Sequence, residues 1–205
     1  FFEKGDEVIV HYPAYQSLFE IAHSAGCKVI RWHADEDENR RMDLNFLKDS
    51  ITPRTKAVVV NFPHNPTGYL PDEIEYKEII EICRKNNLIL FCDEVYRLLE
   101  YDESYRLDSA CDVYENALSL GVMSKSFGLP GLRLGWIATK NKNIFSGLAK
   151  IKDYTTICNP APSEFIAEKA LIRKTEILKR NLDIISGNLK SLDFLFQNHK
   201  NIFSW

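Results

Sequence analysis

KAVVVNF, residues 56–62, is a near-continuous apolar run rich in valine, and its reading decides the fold class. A strand with one wet face alternates apolar and polar side chains. A run that is apolar throughout suits burial on both faces, the habit of parallel sheets covered by helices. LILFCDE at 88–94 reads the same way. Between the two, Pro71, Asp72 and Glu73 open a helix running to about Asn86, because proline is tolerated in a first turn and acidic groups favour the positive end of the helix dipole. Outward from this β-α-β unit the order repeats. DEVIVHYP from Asp6 to Pro13 predicts a strand, Ala14 to Ala25 a helix closed by Gly26, Cys27 to Trp32 a strand, and Leu44 to Ser50 a weak helix. The charged run DEDENRR at 35–41 predicts a solvated loop. Ala117 to Gly121 and Leu134 to Thr139 predict two further short strands, separated by a Gly- and Ser-rich turn. Beyond Pro162, the residues Leu171, Leu178, Leu182, Ile185, Leu189, Leu192 and Phe196 recur at helical steps, which predicts one long amphipathic helix with Gly187 placed to bend it. Alternating strands and helices imply an α/β domain whose ligands collect beyond the carboxyl ends of the strands.

Composition narrows the function classes. Of 205 residues, 45% are hydrophobic, enough to fill a large core. The net charge of -3 comes from 26 basic and 29 acidic residues spread along the chain, leaving no basic stripe for nucleic acid or anionic lipid. No apolar run approaches the roughly 20 residues that span a bilayer, and no signal pattern opens the chain. Cys27, Cys83, Cys92, Cys111 and Cys158 are odd in number and widely spaced, which suits free thiols in a reducing cytoplasm. The chain starts at Phe1-Phe2 and stops at Trp205 after an Ile-Phe pair, which reads as a fragment of a longer polypeptide.

Chemistry is expected just after each strand, and four polar residues fall there: Tyr15, Asn65, Asp93 and Lys125. Singly, each has a plain explanation as a half-buried aromatic, a turn residue, a helix cap and a surface lysine. HNPTG at 64–68 is a sharp reversal at a strand end, with the Asn65-Pro66 bond a cis candidate.

Taken together, GDEVIVHYPAY at 5–15, NPTG at 65–68, DEVY at 93–96 and SKSFGLPGLRLG at 124–135 resemble, in order and spacing, the class I and II aminotransferases. The resemblance covers nearly the whole chain. It implies the type I fold of pyridoxal-phosphate enzymes: three α/β/α layers around a mainly parallel sheet, with residues 1–162 as the cofactor-binding large domain. Residues 163–205 would lead to a C-terminal small domain that lies outside this sequence, as would an N-terminal phosphate loop. It also implies a role for each polar residue. Lys125 would form the Schiff base with the pyridoxal phosphate aldehyde and then serve as general base and acid. Asp93 would keep the pyridine nitrogen protonated. Asn65 and Tyr96 would donate to the phenolic oxygen, Tyr15 would stack on the ring, and Arg133 would fork onto the phosphate. Val122 stands where many relatives carry Ser or Gly, and Ser124 would substitute for the missing hydroxyl. Glu94, Arg97 and the five histidines receive structural readings.

The expected activity is amino transfer from an amino acid to a 2-oxo acid in a cytoplasmic homodimer. A lyase, decarboxylase or cyclase of the same fold is the alternative, because the lysine motif does not choose which Cα bond breaks. A regulator's sensor domain is the non-enzymatic alternative, although no DNA-binding motif is present. Without the segments expected outside this sequence, weak or absent turnover is predicted.

Overall fold

The computed structural model describes residues 1–34 and 41–202. The charged run from Asp35 therefore lies almost wholly outside the described residues. Among the described residues, six strands form one sheet: β1 (Glu7–Tyr12), β2 (Lys28–His33), β3 (Thr55–Asn61), β4 (Ile89–Asp93), β5 (Ala117–Val122) and β6 (Gly135–Ala138). Their order across the sheet is β2-β1-β3-β4-β5-β6. The first five run parallel, and β6 returns antiparallel beside β5. The chain moves outward from β1 to β2 and then crosses to β3 on the other side of β1, so a switch point opens between β1 and β3.

The reading of KAVVVNF holds. Val58 and Val60 pack on one face of the sheet against α3 (Glu73–Lys85), which buries Tyr76, Ile79, Ile80, Ile82 and Cys83. Ala57 and Val59 face the opposite side, where Leu18, Phe19 and Ala22 of α1 (Ser17–Ser24) lie over them. Helices thus cover both faces. α2 (Leu44–Asp49) and α3 begin where Asp43 and Asp72 accept hydrogen bonds from backbone N–H groups left open by the first turn. α4 (Ala110–Val113) is a single short turn beside β5. The four cysteines Cys27, Cys83, Cys92 and Cys111 are buried as free thiols, and Cys158 is exposed.

Two features depart from the sequence reading. Lys142–Thr155 forms a further helix, α5, opened by Asn141, whose side chain caps it; no motif drew attention to it. The single long helix expected beyond Pro162 is two: α6 (Ala161–Ile172) and α7 (Lys174–Asn198), separated at Arg173. The leucine spacing misleads because α6 buries small residues, Ala167 and Ala170, against Met123 and Phe127, while Leu171 points outward. α7 runs through Gly187. This third apolar cluster lies against the Gly- and Ser-rich turn after β5, so the C-terminal helices buttress that turn.

Leu90, the second residue of β4, has no exposed surface. Leu90→Ala is expected to lower stability by about 2–5 kcal/mol in urea unfolding, whereas Ile74→Ala, on the exposed side of α3, should stay within about 0.5 kcal/mol of wild type.

Candidate active site

The turn after β5 presents its lysine by tying down everything around it. Met123 N–H bonds the Leu134 carbonyl, Leu129 N–H bonds Met123, and Gly128 N–H closes on the Lys125 carbonyl. Gly128 has φ +65, a left-handed backbone conformation that favours glycine, while a Cβ there would meet Asn181 only at van der Waals distance. Ser126 turns inward and donates to the carbonyls of Val95 and Arg97. Asn181 of α7 donates to the Ser126 carbonyl at 2.9 Å. With its neighbours bound, Lys125 is left exposed, its Nζ 5.7 Å from the centre of the Tyr96 ring.

Asp93 is the last residue of β4 and is 6% exposed. Its Oδ1 accepts from Val95 N–H at 3.1 Å. Burial pushes its carboxyl up to about 6. The Val95 N–H opposes that rise, the charge of Glu94 adds to it, and Lys125 pulls it back. The Lys125 charge thus reaches the Asp93 carboxyl. Glu94 points elsewhere, accepting from the Ser109 and Ser119 hydroxyls and the Ala110 N–H, so it is a buried structural carboxylate. Arg97 donates to the Leu107 carbonyl and lies 3.8 Å from Glu94, in keeping with its structural reading.

Asn65 reaches this group through a residue that drew no attention in the sequence. Asn61, 2% exposed at the end of β3, donates from Nδ2 to the Asp93 carbonyl at 2.8 Å and accepts from Asn65 N–H at Oδ1, also at 2.8 Å. One side chain therefore joins the NPTG turn to the end of β4. Its signal was present: an amide closing an otherwise apolar buried strand must have partners. Asn181 carried no such signal, lying on a helix remote in sequence from the turn that it holds. The Asn65–Pro66 bond is cis, as its turn suggested.

The remaining candidates stand farther apart. Arg133 sits in the left-handed region at φ 50 and donates to the Pro130 carbonyl. Ser124 is half-buried, and no hydrogen bond engages its hydroxyl among the described residues. Tyr15 is 61% exposed in the loop after β1, and no hydrogen bond from its side chain or ring contact links it to the others. A cavity of about 1340 Å³ touches the site at Asn65 and Tyr96 and extends toward Tyr101, Tyr105 and Ile185, but Asp93, Lys125 and Arg133 do not line it.

The family model for aminotransferase class I and II matches residues 1–202. The chain belongs to that family. It is 36% identical over 152 residues to capreomycidine synthase of Streptomyces vinaceus, which covers 74% of this chain and 39% of that protein. It is 32% identical over 203 residues to an aspartate aminotransferase of Sulfolobus acidocaldarius, covering 92% of this chain and 49% of the relative. Among solved structures, a PLP-dependent aminotransferase from Streptococcus suis superposes with a TM-score of 0.90 at 36% identity, over 96% of this chain and 52% of that one. The type I fold expected from the motifs is thus the fold of this family member. The chain spans about half the length, or less, of these relatives.

The raised carboxyl of Asp93 has a definite pH consequence. Without cofactor, the unfolded chain ionises this group from about pH 4 upward, whereas the folded chain does so only around 6, so stability is lost as pH rises through that window and is level above it. Asp93→Asn is therefore expected to stabilise the cofactor-free protein by about 1–3 kcal/mol above that window, with the gain fading below about pH 4, in urea unfolding at the two pH values.

Proposed function

We propose that this chain carries the cofactor-binding part of a pyridoxal-phosphate-dependent aminotransferase, which moves an amino group from an amino acid to a 2-oxo acid. The observation that carries the reading is the charge layout. Asp93 is a buried carboxylate short of a cation, and Lys125 and Arg133, displayed from one turn, form no ion pair among the described residues. Pyridoxal phosphate has the complementary groups: a ring nitrogen that takes a proton, an aldehyde that an amine can hold, and a phosphate dianion. When bound, it supplies an electron sink for the pair left on the substrate Cα.

The chain's own residues divide the remaining work. Lys125 Nζ would hold the cofactor's aldehyde carbon and, as a free amine, would take up and return the Cα proton. Asp93 would keep a proton on the ring nitrogen, whose charge would in turn favour the ionised carboxylate. The Asn65 amide and the Tyr96 hydroxyl would donate to the phenolic oxygen, and the Tyr15 ring would stack on the cofactor ring. Arg133 would offer a bidentate fork to the phosphate, and Ser124 would add a hydroxyl. The partners in this reading are amino acid and 2-oxo acid substrates and a second copy of the protein, in the cytoplasm. Residues 1–162 form the cofactor-binding domain, and 163–205 lead toward a further domain.

A second reading, a different outcome at the same cofactor, is favoured by the likeness to a relative named as a synthase. Product analysis separates the two, since transfer leaves a 2-oxo acid from the donor.

Adding pyridoxal phosphate to the purified protein is expected to give a visible absorbance band that Lys125→Ala abolishes. An unchanged band in the variant contradicts the assignment.

A further inference from the structure

Where β1 and β3 part, two histidines meet. Their last paired residues are Val10 and Val59. Past that point one chain continues through Tyr12–Pro13 to Tyr15, and the other through Phe62–Pro63 to Asn65. Among the described residues, no backbone hydrogen bond joins the 12–16 loop to the 62–69 turn. Two contacts of the His64 ring bridge them: it stacks on the His11 ring, 3.8 Å apart between centres and only 18° from parallel, and it engages the Pro13 carbonyl. His11 is 1% exposed and His64 4%. His64 Nδ1 lies 2.6 Å from Thr67 Oγ1, which also accepts from Tyr69 N–H. His64 is thereby fixed within the NPTG turn. His11 is walled by Trp32, Phe62 and Tyr69.

This arrangement is costly. Both nitrogens of His11 are buried without hydrogen-bond partners among the described residues, a penalty that an apolar ring in its place would avoid. Burial drives both rings toward the neutral form: His11 to about 3, further depressed by its neighbour, and His64 to about 4, with the Pro13 carbonyl pulling the other way. Two neutral rings can stack face to face, whereas two imidazolium ions at this separation would repel.

We propose that His11 and His64 are a positioning pair that sets the Asn65 turn against the Tyr15 loop across the β1/β3 switch point, and so fixes two walls of the cofactor site. The proposal rests on Tyr15 and Asn65 flanking the cofactor ring, as read above. Neither histidine touches the reacting atoms. Their effect passes through the backbone: His64 precedes Asn65 directly, and His11 precedes the Tyr12–Pro13 bend that leads to Tyr15.

The test titrates the protein with pyridoxal phosphate, following tryptophan fluorescence, and then measures the pH midpoint of the visible band together with the melting temperature. His64→Asn retains a side-chain nitrogen for Thr67 but removes the ring. It is expected to weaken cofactor binding about tenfold and move the midpoint to higher pH, because a displaced Asn65 amide no longer stabilises the phenolate. His11→Phe retains a ring and should bind within about twofold of wild type. Should His64→Asn fail to fold, His11→Ala, which leaves the Thr67 contact and removes the stacking partner, is expected to reproduce the weaker binding and the shifted midpoint. A lowered melting temperature with unchanged midpoint and affinity would mean a purely structural stack and overturn the proposal. Failure of the wild-type protein to bind the cofactor overturns the function reading, and this inference with it.

Discussion

The site depends on a carboxylate kept where burial opposes its charge. Asp93 occupies the end of a central strand, and its backbone carbonyl is held by Asn61 Nδ2 and Phe62 N–H from the neighbouring strand. Burial at that anchored strand end pushes its carboxyl up to about 6, so its need for a cation persists. Lys125 meets the need only in part, since its ammonium sits over the Tyr96 ring and forms no ion pair with Asp93. A buried carboxylate left without a full counter-charge in a folded protein is a candidate binding group.

Lys125 itself is presented by distant parts of the chain. The apolar cluster of Met123, Phe127, Ala167 and Ala170 presses α6 against the turn, and Asn181 of α7 holds the Ser126 carbonyl. A turn built from glycine and serine has little stiffness of its own. Its geometry is imposed by these C-terminal helices, so a loss of packing at Ala170 would reach the lysine without touching it.

Much of this was legible in the residues, for identifiable reasons. The runs at 56–62 and 88–94 announce strands buried on both faces, because burial leaves a direct imprint on sequence. Tyr15, Asn65, Asp93 and Lys125 drew attention because each stands at or after the end of a predicted strand, whereas Tyr96 and Arg133 were assigned only through the family resemblance. The split at Arg173 was hidden because α6 packs through alanines, which carry no leucine periodicity. Asn61, Asn181 and the His11–His64 stack were hidden for another reason: each acts between segments far apart in the chain, and only the topology brings those segments together.

The most direct test of the account is to add pyridoxal phosphate, reduce with borohydride, and map the modified peptide by mass spectrometry. A single adduct on Lys125, diminished in Asp93→Asn, is the predicted result. Modification spread over surface lysines such as Lys140 and Lys190, or unchanged labelling of Lys125 when Asp93 is replaced, would contradict the claim that the two residues form one site.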